Sequence, residues 1–315
     1  MLGRLVAERV DSGPEQVWSD DLAALCRSCD ALLCNLECCI SGRGTRTTRI
    51  PHKPFFFRAP PAAVEALAAV GTSAASLANN HALDYEAVAL GDTLEHLAAA
   101  GIAAVGAGPD QQHARRGSVV SAGGLRLGLL AATDHPVEYA AAPRSPGVAF
   151  AQLRAELPEW ISSELARLRG EADLVAAFPH WGDNMATAPA RWQRKRAAEI
   201  IAAGADLVAG HSAHVFHGIE RVDGRLVLYD LGDALDDYAV DPKRRNDLGV
   251  LALWRPRSDP ELELIGLELG FCETRLAHGA AADWIAVRLE RACAPLGTRP
   301  ERVGEQRFAF PACGA

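Results

Sequence analysis

The sequence predicts a mixed-sheet α/β domain, and three observations carry that expectation. Apolar runs short enough for strands alternate with segments of helical period, the pattern of parallel βαβ units. Two hairpins interrupt the alternation, one turned at Gly123-Gly124 and one at Asp223-Gly224, so parallel and antiparallel pairing occur in one chain. No internal repeat or low-complexity linker divides the 315 residues, a length that suits one large domain or two smaller ones.

Taken in order, Trp18 to Cys29 has helical period, and Asp30 to Glu37 reads as a strand ending in a polar turn. Pro60 to Ala69 is a helix candidate. Val70 to Ala78 is small and uncharged, a short buried strand, after which Leu83, Val88, Leu90, Leu94 and Leu97 recur at helical spacing and Asp92 to Ala100 forms a helix. Ile102 to Gly108 is another short strand; its Gly106-Ala-Gly108 lacks the third glycine of a dinucleotide fingerprint. Ser118 to Thr133 is the first hairpin, Ala151 to Arg169 an amphipathic helix, and Ala172 to Gly182 a strand with its edge loop. Ala190 to Ala203 is a helix, and Ala205 to His214 a strand ending in histidines. Phe216 to Gly232 is the second hairpin, turned by Asp-Gly. Leu248 to Pro256 and Glu261 to Gly270 form a further antiparallel pair, Ala280 to Ala294 a helix, and the last twenty residues show little pattern.

Composition narrows the function classes. With 49% hydrophobic and 23% charged residues the chain is an ordinary soluble globular protein. A net charge of −8 and a pI near 5.7 exclude general nucleic-acid affinity, which rests on phosphate neutralisation by Lys and Arg. No apolar run approaches the roughly 20 residues that span a bilayer, and no basic-then-apolar signal opens the chain, so a cytoplasmic location with no transmembrane segment is expected. Five of the eight cysteines fall between Cys26 and Cys39 without the matched pairs of a zinc module. They read as small buried hydrophobes in a reducing compartment.

Chemistry shows when strand ends are compared. Successive apolar runs stop at Asn35-Leu36-Glu37, at Asn79-Asn80-His81, at His180-Trp181-Gly182 and at Gly210-His211-Ser212-Ala213-His214. Ligands bind at such carboxyl edges because rigid elements hold the loops on both sides. An Asn pair at a helix start also caps, and a lone histidine often has no ligand role. Four coincidences at equivalent topological places favour a shared site. Glu37, Asn80, His180 and one or both of His211 and His214 make a mixed N/O ligand set, which suits Mn, Fe or Zn better than Ca or Mg. Two such ions bridged by a carboxylate suit phosphoryl chemistry. The segment from Ser41 to Arg58 carries Arg43, Arg46, Arg49, His52, Lys53 and Arg58, with no acid between Glu37 and Glu65. It reads either as a receptor for phosphate or polycarboxylate or as a solvated basic loop.

Together NLE, SLANNHALDY followed by DTLEHLAAAGIAAVGAG, HWG, GADLVAGHSAHVFHGIE and LVLYDLGD resemble the CapA-type poly-γ-glutamate capsule synthesis proteins, a branch of the calcineurin-like metallophosphoesterase superfamily. The resemblance runs from Met1 to about Gly270. It implies a four-layer α/β/β/α sandwich of two mixed sheets packed face to face, with helices outside and a metal centre at the strand ends. It assigns residues 1–275 to the metallophosphoesterase-like domain and 276–315 to a C-terminal helix and tail packed on it. Glu37 matches the bridging carboxylate, Asn80 the amide ligand that also touches the phosphate, His81 the proton donor, and His180 and His214 imidazole ligands. Asp84 either orients His81 or serves as a first-turn acid favoured by the helix dipole. Asn35, Arg46, Arg49, Lys53 and Arg58 are the candidate substrate-binding residues.

The pattern departs from the family in two places. Most relatives read Gly-x-His-Pro-His in the last motif, so the penultimate imidazole falls on Ser212 here and His211 is displaced by one. The family also places a strand ending in Gly-Asp just before the segment that opens this chain. The resemblance therefore implies a missing strand and a missing aspartate ligand upstream of Met1, with Asp11 or Asp233 as substitutes. Two functions follow. The first is a hydrolase with two divalent ions acting on a phosphoester or other anionic substrate. The second is a nonhydrolytic component of anionic-polymer biosynthesis that binds an acyl phosphate or polyglutamate. The proton donor His81 favours the enzyme.

Overall fold

Period-two burial along the strands sorts the apolar residues into layers. The structure, a computed structural model, describes residues 1–256 and 258–311. In chain order it runs α1 (Leu5–Ser12), α2 (Asp20–Arg27), β1 (Leu32–Asn35), β2 (Cys39–Ile40), β3 (Arg58–Ala59), α3 (Ala63–Ala69), β4 (Thr72–Ser76), α4 (Glu86–Ala99), β5 (Ala103–Val105) and β6 (Ala107–Gly108). Next come α5 (Gln111–Arg115), β7 (Ser118–Ala122), β8 (Leu125–Thr133), β9 (Gly147–Val148), α6 (Glu159–Glu171), β10 (Leu174–His180), α7 (Arg191–Ala202) and β11 (Leu207–Ala209). The chain closes with β12 (Ile219–Val222), β13 (Arg225–Leu228), β14 (Leu248–Trp254), β15 (Leu262–Gly270), β16 (Glu273–Leu276), α8 (Gly279–Cys293), β17 (Glu301–Arg302) and β18 (Arg307–Phe310).

The larger sheet has the order β12-β13-β11-β10-β8-β7. Its four central strands are parallel, and the antiparallel partners β12 and β7 lie at its two edges. Each hairpin thus feeds one strand into the parallel core. Alternate residues divide cleanly: Leu127, Leu129, Ala131, Leu174, Ala176, Leu226 and Leu228 enter one core, while Leu130, Ala132, Val175, Ala177, Val208 and Val227 enter another with Ile161, Leu165 and Leu168 of α6 and Ile200 and Ile201 of α7. The first core is shared with Ala74, Val250, Leu262, Leu264 and Phe308, so a second sheet layer packs against the first. On the outer side of that second layer, Ala75 and Leu77 meet Ala66, Leu67, Leu90 and Leu97 of α3 and α4, and Leu267 and Leu269 meet Leu22, Ala23 and Cys26 of α2. The result is a mixed α/β sandwich of two sheet layers with helices on both outer faces.

The second layer is in two pieces, β1-β4-β5 and β14-β15-β18-β17, the latter with β16 on β15. Among the described residues no strand pairs with the outer edge of β1 or with the outer edge of β14. These edges border a cavity of about 220 Å³. Helix α8 packs on β12, β14 and β15.

Several boundaries differ from the sequence expectation for local reasons. The helix expected from Ala151 begins at Glu159, because Pro158 holds extended backbone at its cap. Ile102 to Gly108 is two strands rather than one. Gly106 breaks it with φ of 83°, and a Cβ there would lie 2.5 Å from the Ala78 methyl. The strand from Ala205 ends at Ala209, so His211 and His214 sit in the loop beyond it. Within the last twenty residues, Arg307–Phe310 is a strand on β15 that turns Phe308 and Phe310 inward, while 312–315 lie outside the described residues. Among the described residues no helix is long and apolar enough to cross a membrane.

Candidate functional site

The ends of β1, β4, β8, β10 and β11 lie where the sheet layers meet. From β1, Asn35 donates through Nδ2 to Glu37 Oε2 at 2.9 Å and accepts at Oδ1 from Asn79 Nδ2 at 3.0 Å. Asn79, fully buried, also donates to the Leu36 carbonyl, and its Oδ1 accepts from the His81 amide at 3.0 Å. The first asparagine of the pair is therefore a brace that holds the two strand ends together. That frees the second, Asn80, to aim its own amide elsewhere.

His81 stands over a buried carboxylate. Its Nδ1 lies 2.6 Å from Asp84 Oδ2, and the Phe57 ring meets it edge-on at 4.6 Å. Asp84 is wholly buried and also accepts from the Phe57 amide at 2.7 Å and from Tyr139 Oη at 3.0 Å. Lys53 Nζ completes this hub, 3.2 Å from Asp84 Oδ1 and donating to the Asn80 carbonyl at 2.7 Å. Asp84 is thus in hydrogen-bond contact with the His81 ring, and it precedes α4, which starts at Glu86.

The other basic candidates are placed differently. Arg49 pairs with Glu86 at 3.1 Å, and Arg58 donates to the Arg43 and Gly44 carbonyls while stacking over Tyr85. Arg46 lies over the Phe56 ring, and Arg43 is paired with Asp92. The segment has no acid of its own, but α4 and its approach supply Asp84, Glu86 and Asp92. Of the five candidate substrate-binding residues, only Asn35 and Lys53 join the strand-end cluster.

On the opposite sheet, His180 Nδ1 and His211 Nδ1 are 2.6 Å apart. Burial, followed by the neighbouring imidazoles, pushes His180 well below its ordinary 6.5 and His211 down to about 3, so both rings are neutral. One ring then donates and the other accepts across that contact. Consequently one of the two Nε2 atoms keeps a lone pair and the other carries a proton. His180 Nε2 lies 3.9 Å from Glu37 Oε1 across the layer boundary.

His214 behaves differently. Burial alone would lower its pKa, but the Asp233 carboxylate at 2.9 Å, with Glu37 and Asp230 behind it, raises it to about 10. Asp233 is held low by this imidazolium against the effect of burial, while neighbouring Asp236 is pushed up by burial and by the Asp233 charge. Asp230 is raised to about 7 by burial despite accepting from the Ala213 and Gly232 amides. Because the folded pKa of His214 exceeds its ordinary 6.5, its stabilisation is complete below about pH 6.5 and is lost as pH rises towards 10. The melting temperature should therefore fall over that window, and His214→Gln should flatten the slope. An unchanged slope in the variant would remove His214 from the account. His211 acts in the opposite sense, losing stabilisation as pH falls from 6.5 towards 3.

Whether these residues fit a divalent ion can be judged from the atoms left without partners. Glu37 Oε1, Asn80 Oδ1, His180 Nε2 and His211 Nε2 are all buried with no hydrogen-bond partner, as are Ser212 Oγ and Asp233 Oδ2. Buried polar atoms are rarely left so, and a carboxylate, an amide oxygen and imidazole nitrogen are the donor types of a Mn, Fe or Zn site. The donor chemistry fits. Among the described residues, however, no group of three or more His, Cys, Asp or Glu side chains is set around one point to hold a metal as it stands. Uptake of an ion would have to draw the orphaned atoms together.

The sequence reading missed His135. It follows the end of β8, its ring lies 5.1 Å from that of His180, and its Nδ1 pairs with Asp134. Reading β8 only as a hairpin arm hid its parallel pairing with β10, and so its strand end was not compared with the others.

Comparison with known proteins gives four findings. The family model described as bacterial capsule synthesis protein PGA_cap matches residues 1–238. A probable polyglutamine synthesis accessory protein of Mycobacterium tuberculosis is 33% identical over 307 residues, covering 91% of this chain and 80% of that protein. The capsule biosynthesis protein CapA of Bacillus anthracis is 27% identical over 238 residues, covering 75% of this chain and 58% of that one. A solved structure of a hypothetical protein from Thermus thermophilus aligns with a TM-score of 0.42 at 14% identity, over 85% of this chain and 90% of that chain.

Proposed function

The chain belongs to the bacterial capsule synthesis protein family PGA_cap, and from that premise we propose that it is a metal-dependent hydrolase of the calcineurin-like phosphoesterase type, acting on a phosphoester or another anionic substrate. One observation carries the reading: four buried polar atoms without partners, on Glu37, Asn80, His180 and His211, come from both sheet layers beside His81. Bound there, divalent cations would polarise a phosphoryl oxygen and offset the charge of an anionic substrate.

The chain's own residues do the rest. Glu37 and Asn80 would hold the ion, with whichever of His180 and His211 keeps its Nε2 lone pair as the imidazole donor. The partner ring offers its Nε2 proton to a substrate oxygen. His214, kept as an imidazolium by Asp233, adds positive charge rather than a lone pair. With Nδ1 committed to Asp84, His81 exposes Nε2 as the atom that holds a proton for a leaving group. Lys53 ties the Asn80 carbonyl to Asp84, so the amide ligand and the proton donor are positioned by one buried cation.

A second reading is a nonhydrolytic component of poly-γ-glutamate biosynthesis that binds an acyl phosphate or polyglutamate. It is favoured by the lack, among the described residues, of three acidic, imidazole or thiol groups already converged on one point, and by the accessory role named for the mycobacterial relative.

Metal analysis of the purified chain, with phosphoesters and γ-glutamyl polymers assayed under Mn, Fe and Zn, separates the two readings. Asn80→Ala and His180→Ala are each expected to lower bound metal while circular dichroism stays that of wild type. Full stoichiometry in both variants would sink the ligand assignment. Metal uptake without turnover on any substrate would favour the binding component.

A further inference from the structure

A second aspartate–histidine pair stands at the strand ends, on the sheet opposite His81. β8 and β10 run in register with Thr133 beside His180, so the chain leaves β8 next to the proposed ligands. Two residues on, His135 Nδ1 pairs with the carboxylate of its neighbour Asp134. Asp134 is itself pinned to the turn after β10. Its N–H donates to the His180 carbonyl at 3.0 Å, and its Oδ2 accepts from the Gly182 amide at 3.4 Å with Arg154 Nε 3.6 Å away. The Asp134 side chain is 2% exposed and that of His135 35%, so a buried carboxylate fixes an imidazole that solvent can reach.

Tautomer chemistry gives the free nitrogen its role. A carboxylate can only accept, so the neutral His135 ring carries its proton on Nδ1 and its lone pair on Nε2. Among the described residues nothing hydrogen-bonds that Nε2. A carboxylate behind the other ring nitrogen is the usual support of a metal-bound histidine, because it fixes the ring and makes the lone pair more basic. His180 and His211 have no such support: they are bonded to each other, and one of their two Nε2 atoms carries a proton. Glu37, Asn80 and the remaining imidazole therefore supply three donors. Zinc-type ions take four ligands and manganese six, the balance being water or further side chains. The His135 ring lies 5.1 Å from that of His180, and its proximity helps to depress both His180 and His211.

We infer that His135 is an imidazole ligand of the divalent cation proposed for the strand ends, with Asp134 as its positioning residue. This rests on the metal-binding reading of Glu37, Asn80 and the His180–His211 pair, and it adds a nitrogen whose lone pair the structure itself fixes. A second imidazole moves the donor set away from the all-oxygen shell that suits manganese and towards zinc-type ions, cobalt included. As with the other donors, uptake of an ion would have to draw Nε2 inward, since among the described residues no three such groups converge on one point.

The test titrates the full chain with Co²⁺, reading affinity by calorimetry and coordination by visible absorption, where four-coordinate cobalt absorbs far more strongly than six-coordinate. Asp134→Asn, which keeps the ring but removes the carboxylate, should weaken binding by about 10–100-fold, the usual cost of losing such a partner. His135→Ala should weaken it by more than about 100-fold, beyond that cost, and change the spectrum. Because the ring is solvent-accessible, excess imidazole should return the His135→Ala spectrum to that of wild type in the same imidazole. If wild type takes up cobalt and His135→Ala matches it in affinity and spectrum, His135 is not a ligand, while the metal site at the other strand ends stands. No cobalt uptake by wild type would overturn both. A lower melting temperature of the variants with an unchanged cobalt spectrum would also overturn the assignment and leave Asp134 and His135 as a brace for the turn after β10.

Discussion

His81→Ala is expected to keep the metal content of the wild type and to lose turnover by about 10²–10⁴-fold, the usual worth of a positioned general acid. The expectation rests on what His81 touches. Its Nδ1 is spent on Asp84, its amide on Asn79 and its carbonyl on the Cys39 thiol, so only Nε2 is left for chemistry. None of the orphaned donor atoms belongs to it, so metal binding should not change. The deficit should shrink on substrates whose leaving group needs no proton. A variant that matches wild type on a poor leaving group would show that His81 is not the acid.

Asp84→Ala should be the most destabilising single change at the site, costing about 3–5 kcal/mol, the range for breaking a buried ion pair by removing one partner. The side chain of Asp84 is fully buried and that of Lys53 is 7% exposed, so the stranded ammonium would have little water to turn to. The Phe57 amide and the Tyr139 hydroxyl would lose their acceptor in the same step. Urea denaturation should show the loss as a lower midpoint. Asp84→Asn keeps an acceptor but no charge and should fall between the two. If Asp84→Ala unfolds at the wild-type midpoint, the hub contributes nothing net to the fold.

Much of this site was legible because strand ends are legible. Glu37, Asn80, His180, His211 and His214 each follow an apolar run, and the chain brings them to one boundary between sheets. What hid the rest was pairing. Nothing local in the residues after β7 shows that β8 lies parallel to β10, so His135 passed unnoticed. Nor does the sequence around Asn79 reveal that it donates to Asn35, since that contact joins strands by way of two loops. Charge was misleading for a related reason. The basic segment has no acid within it, yet Glu86 and Asp92 reach it from α4.

The division of the orphaned atoms between layers bears on how a cation bound there would be acquired and lost. Glu37 and Asn80 hang from β1 and β4, His180 and His211 from β10 and beyond β11, and no one layer carries a complete set. An ion held by atoms of both layers would be chelated only after the layers had docked, which would make it a late arrival in folding. Interactions absent from the folding transition state slow unfolding and leave the folding rate almost untouched. A bound cation would thus act as a kinetic latch across the sandwich, lengthening the life of the folded chain without hastening its formation.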